Sequence, residues 1–140
     1  MDITAAIADQ LEAIVPDATI YIENRPQGFD EPAFYIYEIK AYSADQLMDY
    51  QFRKHLYCVM YFPDATLKDP GVREQCESMR GKLMDEFLTI DGLSLKLLDR
   101  EAAVNDGTLQ FTFKLSFRVV RTDDNPSMQK LETEGGLKNG

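Results

Sequence analysis

Residues 108–119 constrain this chain more than any other stretch. Leu109, Phe111, Phe113, Leu115, Phe117 and Val119 alternate with Thr108, Gln110, Thr112, Lys114, Ser116 and Arg118. A two-residue period of this kind describes a β-strand with one buried face, and a slip of one residue would turn every apolar side chain outward. If each buried side chain contributes roughly 1.5–3 kcal/mol gross, this strand anchors the core before chain entropy is set against it. Asp91-Gly92 and Asn105-Asp106-Gly107 are turn signals, so residues 93–104 read as the first arm of a hairpin whose second arm is the alternating strand. Lys114 and Arg118, on the polar face, are placed to pair with acids of that first arm such as Asp99 or Glu101, or with acids of another subunit.

The remaining elements follow from simpler periodicities. Ile3, Ile7, Leu11 and Ile14 share one helical face, with Asp2 as a cap and Pro16 as a stop. A helix this short needs a sheet or a second helix beneath its apolar stripe. Residues 18–23 read as a strand. Residues 33–42 read as another, with Ala33, Tyr35, Tyr37, Ile39 and Ala41 on one face and Phe34 and Ile36 on the other. Both faces begin apolar, which implies cover by helices on one side and by a neighbouring subunit on the other. After a polar connector at 43–49, residues 50–62 alternate again. Asp69-Pro70 reads as the start of a second helix in which Val72, Cys76, Met79, Leu83 and Phe87 face inward. Gly81, inside that helix, marks either a close approach by another backbone or nothing.

Helix, three strands, helix and two strands make an α+β domain with a mostly antiparallel four- to five-stranded sheet and two helices packed on one face. At 140 residues one domain is expected, spanning 1–122, followed by a polar tail at 123–140 in which only Met128 and Leu131 look like anchors.

Residues 27–34, Gln27-Gly28-Phe29-Asp30-Glu31-Pro32-Ala33-Phe34, follow Tyr21-Ile22-Glu23-Asn24-Arg25-Pro26 and form a stiffened loop. Two prolines fix their own backbone and restrict Arg25 and Glu31, while Gly28 permits a turn. Phe29 either meets another subunit or closes the end of a core. The order of a short amphipathic helix, the strand Thr19-Ile20-Tyr21-Ile22, this loop, and a tyrosine-rich strand ending Tyr61-Phe62-Pro63 resembles the tail terminator family of bacteriophages and prophages, in the versions carried by Gram-positive hosts. The resemblance rests on order and spacing, runs from the first helix to about Val120, and weakens in the tail. It implies a structural virion protein, made in the host cytoplasm, that forms a ring of six subunits. Such a ring caps the tail tube, stops its polymerisation and offers a surface for head–tail joining; the alternative readings are another head–tail joining or tail-tube component of a phage and, against the lack of a catalytic constellation, a small hydrolase or nuclease domain. The implied partners are further copies of itself, the tail tube protein and the head-completion protein, and the family carries no catalytic residues to transfer.

Composition is consistent with that role. A net charge of −9 argues against binding nucleic acid by neutralising phosphates, yet suits a lumen through which DNA passes without sticking. Acidic charge also serves solubility alone. No run of about 20 apolar residues suggests a membrane span, and Met1-Asp2-Ile3-Thr4 lacks the features of a signal peptide, so the expected compartment is the cytosol. Cys58 and Cys76 read as buried free thiols. His55 is the single histidine and falls on the strand face opposite Cys58, which disfavours a Cys–His nucleophile. No Walker loop, dinucleotide fingerprint, Cys-x-x-Cys pair or calcium-loop spacing is present. We therefore expect no enzyme and no cofactor. The candidate interface residues are Arg25, Phe29, Tyr35, Tyr37, Tyr57 and Tyr61, because tyrosine suits a surface exposed in one chain and buried in an assembly. The four tyrosines are expected on comparable faces of adjacent strands; alternatively their rings cover a helix and their hydroxyls reach water.

Overall fold

The computed structural model describes residues 2–22, 30–45, 50–122 and 125–133. The first helix, α1 (Ile3–Ile14), starts where Asp2 accepts a hydrogen bond from the Ala5 N–H at 3.0 Å, and it buries Ile7 and Leu11 completely. The strands β1 (Thr19–Ile22), β2 (Ala33–Asp45) and β3 (Tyr50–Phe62) follow, then α2 (Val72–Glu86). A small ladder of β4 (Thr89–Ile90) and β5 (Leu95–Lys96) brackets a 3₁₀ turn, Asp91–Leu93. The chain ends in β6 (Leu98–Asn105), β7 (Thr108–Thr122) and β8 (Asn125–Thr133).

The main sheet has the order β1-β2-β3-β7-β6, with β8 also paired to β7. Only β1 and β2 run parallel; every other pair in this sheet is antiparallel. Both helices pack on one face, because Ile7 and Leu11 of α1 and Cys76 and Leu83 of α2 belong to the same buried cluster as the strand residues. The expected α+β architecture is therefore the observed one. Its centre is β7: Leu109, Phe111, Phe113, Leu115 and Phe117 are all buried against the helices. Phe87, at the end of α2, meets Phe113 edge-on with ring centroids 5.3 Å apart and Phe111 at 5.6 Å, arrangements that aromatic quadrupoles favour.

The hairpin joining β6 to β7 turns on Asp106 and Gly107, whose φ values of 48° and 74° identify the two-residue turn that suits twisted strands. Gly107 is doubly constrained, since a Cβ there would lie 3.0 Å from Val72 Cγ1. The first arm is shorter than its sequence suggests. Ser94, left-handed at φ 52°, turns the chain so that Leu95 and Leu97 plug the core; pairing with β7 begins at Leu98 and becomes regular only from Glu101, after an irregularity at the left-handed Asp99. Lys114 meets Asp99 across this pair at 3.4 Å, as the sequence allows.

The second helix starts two residues later than Asp69-Pro70 implies, with Gly71 as its cap residue and no side-chain cap. Gln75 instead anchors the loop that leads into the helix. Its amide accepts from Asp64 N–H and donates to the carbonyls of Asp64 and Pro70, tying the preceding loop to the first turn. At the other end, the Arg100 guanidinium on β6 donates to the carbonyls of Met84 and Phe87, supplying the positive charge that α2 lacks in its own last turn.

Within 123–140, where the sequence shows only a polar tail, β8 forms a strand beside the C-terminal half of β7. β6 covers β7 only as far as Lys114, so the backbone beyond it is open to a partner. Backbone pairing of this kind leaves no mark on side-chain periodicity.

Two glycines give opposite expectations. At Gly81 an alanine methyl would meet nothing among the described residues within 4 Å, so Gly81→Ala should raise unfolding free energy by up to about 1 kcal/mol. Gly107→Ala should lower it by about 1–2 kcal/mol through its left-handed backbone and the contact with Val72. Urea denaturation of the two variants beside the parent protein measures both.

Candidate subunit interface

Strand alternation leaves the sheet with a second face, turned away from the helices. On β2 it carries Ala33, Tyr35 and Tyr37, because Phe34 and Ile36 point into the helix-covered core. The residues across from Tyr35 and Tyr37 on β3 are Met60 and Cys58. Leu56 and Phe62 continue that row, and on β1 Tyr21 lies opposite Tyr35. The neighbouring strand β7 contributes Gln110, Thr112, Lys114 and Ser116 to the same face. The face is thus divided into an aromatic and aliphatic zone over β1, β2 and β3 and a polar zone over β7.

Tyr35 and Tyr37 are half-buried, and their rings stack with centroids 5.3 Å apart. Tyr37 and the Cys58 thiol form a hydrogen bond. That bond, together with burial, pushes the Tyr37 phenol up to about 12. Cys58 is fully covered although no helix lies over it, and its burial raises the thiol as well. Flat aromatic rings pinned by such contacts lose little further entropy on meeting a partner.

The six residues expected at an interface separate into three groups. Arg25 and Phe29 lie outside the described residues. Tyr35 and Tyr37 occupy the helix-free face. Tyr57 and Tyr61 lie on the other face, 4% and 6% exposed, with Tyr61 against Phe34 at 5.2 Å and Tyr57 stacked over Phe113 at 6.1 Å. The expectation that all four tyrosines share comparable faces is therefore corrected. Its physical reason is a bulge between Glu38 and Lys40. Beyond the bulge odd-numbered residues face odd-numbered ones, as in Ala41↔His55 and Ser43↔Arg53; before it, odd faces even, as in Tyr35↔Met60 and Tyr37↔Cys58. One extra residue exchanges the faces.

Sequence reasoning also missed the partner of His55. Its Nδ1 is hydrogen-bonded to the Glu38 carboxylate, and its ring packs on Phe117 at 5.1 Å. Glu38 stands beside the bulge, so no linear spacing announces this pair. The two close the end of the covered core, next to a concavity of about 390 Å³ lined by Ala41, Tyr42, Ser43, Arg53 and His55. Among the described residues, no group of three or more histidine, cysteine, aspartate or glutamate side chains is placed to hold a metal ion. No helix of the described residues is long and apolar enough to cross a membrane.

The tyrosines make stability depend on alkaline pH. Burial, with a smaller contribution from Glu38, pushes Tyr57 up to about 12, and Tyr37 stands equally high. An unfolded tyrosine ionises near 10, so above that pH the unfolded chain releases protons that the folded chain keeps. The stability tied to these phenols is complete below pH 10 and is lost as the pH climbs toward about 12. Urea midpoints measured from about pH 9 to about pH 11.5 should fall, and Tyr57→Phe should flatten that fall.

Comparison with known proteins adds an independent finding. The sequence model of a family described as phage tail terminator protein matches residues 2–127. No curated protein matches the chain.

Proposed function

We propose, because the chain belongs to the phage tail terminator family, that six copies close into a ring that caps the finished tail tube and stops its polymerisation. The ring then offers the head-completion protein its docking surface. Family membership itself makes the chain a structural protein of the phage tail, with its place in the virion, and the family is not one of enzymes. The observation that carries the ring reading is the helix-free face, where Tyr35, Tyr37, Leu56, Met60 and Phe62 are half-buried beside a polar zone. A surface with an aromatic centre and a polar margin suits association between subunits. Arg25 and Phe29, which precede β2 in the sequence, extend the proposed contact set beyond Tyr35 and Tyr37. The proposed tail-terminator domain is residues 1–122, followed by a segment, 123–140, that contains β8.

The net charge of −9 supports the same reading. A ring of acidic subunits gives passing DNA no phosphate-binding surface, so the duplex moves through without being held. The tail tube protein and the head-completion protein are the remaining proposed partners, and assembly takes place in the host cytoplasm.

Light scattering and negative-stain imaging of the purified protein test the proposal. Closed rings of one size, six times the monomer mass, are expected. Open stacked tubes would instead identify a tail-tube component, and a monomer that persists at high concentration in the presence of tail tubes would overturn the ring. Tyr35→Lys and Phe29→Ala should each leave the circular dichroism of the monomer unchanged while weakening ring formation at least about tenfold, the effect of removing one well-packed aromatic anchor. Loss of folding in Phe29→Ala would assign Phe29 to the core.

A further inference from the structure

The four strands β2, β3, β7 and β8 form a ribbon that continues past the end of the helix layer. β1 pairs with β2 only from Ala33 to Ile36, and β6 pairs with β7 only up to Lys114. Among the described residues nothing pairs with the outer edge of β2 beyond Ile36 or with the outer edge of β8. The two edges lie on opposite sides of one ribbon. After the bulge, β2 pairs regularly with β3 from Lys40 to Asp45, and β8 pairs regularly with β7 from Gln129 to Thr133. Residues 41–45 contain neither proline nor lysine, the usual guards of an exposed edge.

Strand direction makes these edges complementary. Each of the three pairs in the ribbon is antiparallel, so β8 runs opposite to β2. When the β2 edge of one copy meets the β8 edge of the next, the new pair is again antiparallel and the alternation continues from subunit to subunit. Such a contact joins two different surfaces, and a head-to-tail contact of this type closes into a ring when the rotation permits.

We propose that neighbouring subunits are joined by backbone pairing between the outer edge of β2, residues 41–45, and the outer edge of β8, residues 129–133, giving one continuous belt of sheet. This rests on the ring reading above and names the seam that builds it. Side chains of the helix-free face then determine angle and specificity, while the backbone supplies the joint.

Hydrogen exchange of the full-length protein, read by mass spectrometry on separated monomer and ring fractions, tests the seam. Peptides covering residues 40–45 and 129–133 should both exchange about tenfold or more slowly in the ring fraction, while those covering β6 stay unchanged. Rings without protection of both segments would overturn the seam and leave the ring standing. A largest species that stays monomeric, or a two-fold dimer, at high concentration in the presence of tail tubes would overturn the ring and the seam together. Tyr42→Pro and Ser43→Pro supply a second measurement, because adjacent residues in a strand aim their N–H groups to opposite sides. One variant should keep the melting temperature of the monomer and lose ring formation; rings from both would overturn the proposal.

Discussion

The ladder between β3 and β7 is the constraint from which the rest of this structure follows. It extends from Tyr61↔Leu109 to Tyr50↔Val120 and aligns the aromatic row Phe111, Phe113 and Phe117 with Val59, Tyr57 and Arg53. Once that register is set, Phe87 is held against Phe111 and Phe113, which fixes the end of α2. Arg100 reaches the carbonyls of that helix end from β6, so the same hairpin that buries the row also terminates the helix. Packing and hydrogen bonding therefore specify the same arrangement, the consistency expected of a sequence with a single native state.

A second constraint acts on one residue. The bulge between Glu38 and Lys40 changes which side chains of β2 look toward the helices. It sends Tyr35 and Tyr37 to the open face, leaves Tyr57 and Tyr61 in the core, and brings Glu38 beside His55. The same irregularity separates two parts of β2. Before it the strand is held between β1 and β3; after it, among the described residues, the strand pairs with β3 on one side. The region of the sheet that builds the core and the region proposed to meet a partner thus join at the bulge, in keeping with the use of bulges to re-aim side chains near functional surfaces.

A tail terminator meets other components of the phage tail, and the ring proposed above adds two demands: association with copies of itself and free passage of DNA. The division of labour here is spatial. Acidity is a property of the whole chain, whereas the apolar surface proposed for contact is concentrated over β1, β2 and β3 on the face without helices. Hydrophobic association and electrostatic repulsion of the duplex can therefore operate in one small protein without opposing each other, because the first is short-ranged and local and the second extends over about a Debye length.

Much of this was legible in the amino-acid order. The α+β class, the inward faces of both helices, the Asp2 cap, the limits of β3 and the Asp106-Gly107 turn all follow from local rules, since periodicity, capping and turn chemistry are encoded within a few residues of where they act. The late start of β6 was hidden because Ser94 adopts a left-handed backbone that its side chain does not announce. The Gln75 clamp was hidden because its partners, Asp64 and Pro70, are chosen by the path of the loop. β8 escaped because backbone pairing needs no side-chain pattern. By itself the sequence determined both helices and the strands other than β4, β5 and β8, with the apolar stripe of each, for those are properties of neighbours along the chain. Tertiary structure alone decided which tyrosines reach the surface, where His55 finds its partner and which edges of the ribbon stay open. These depend on register between distant segments, and a single bulged residue is enough to reverse it.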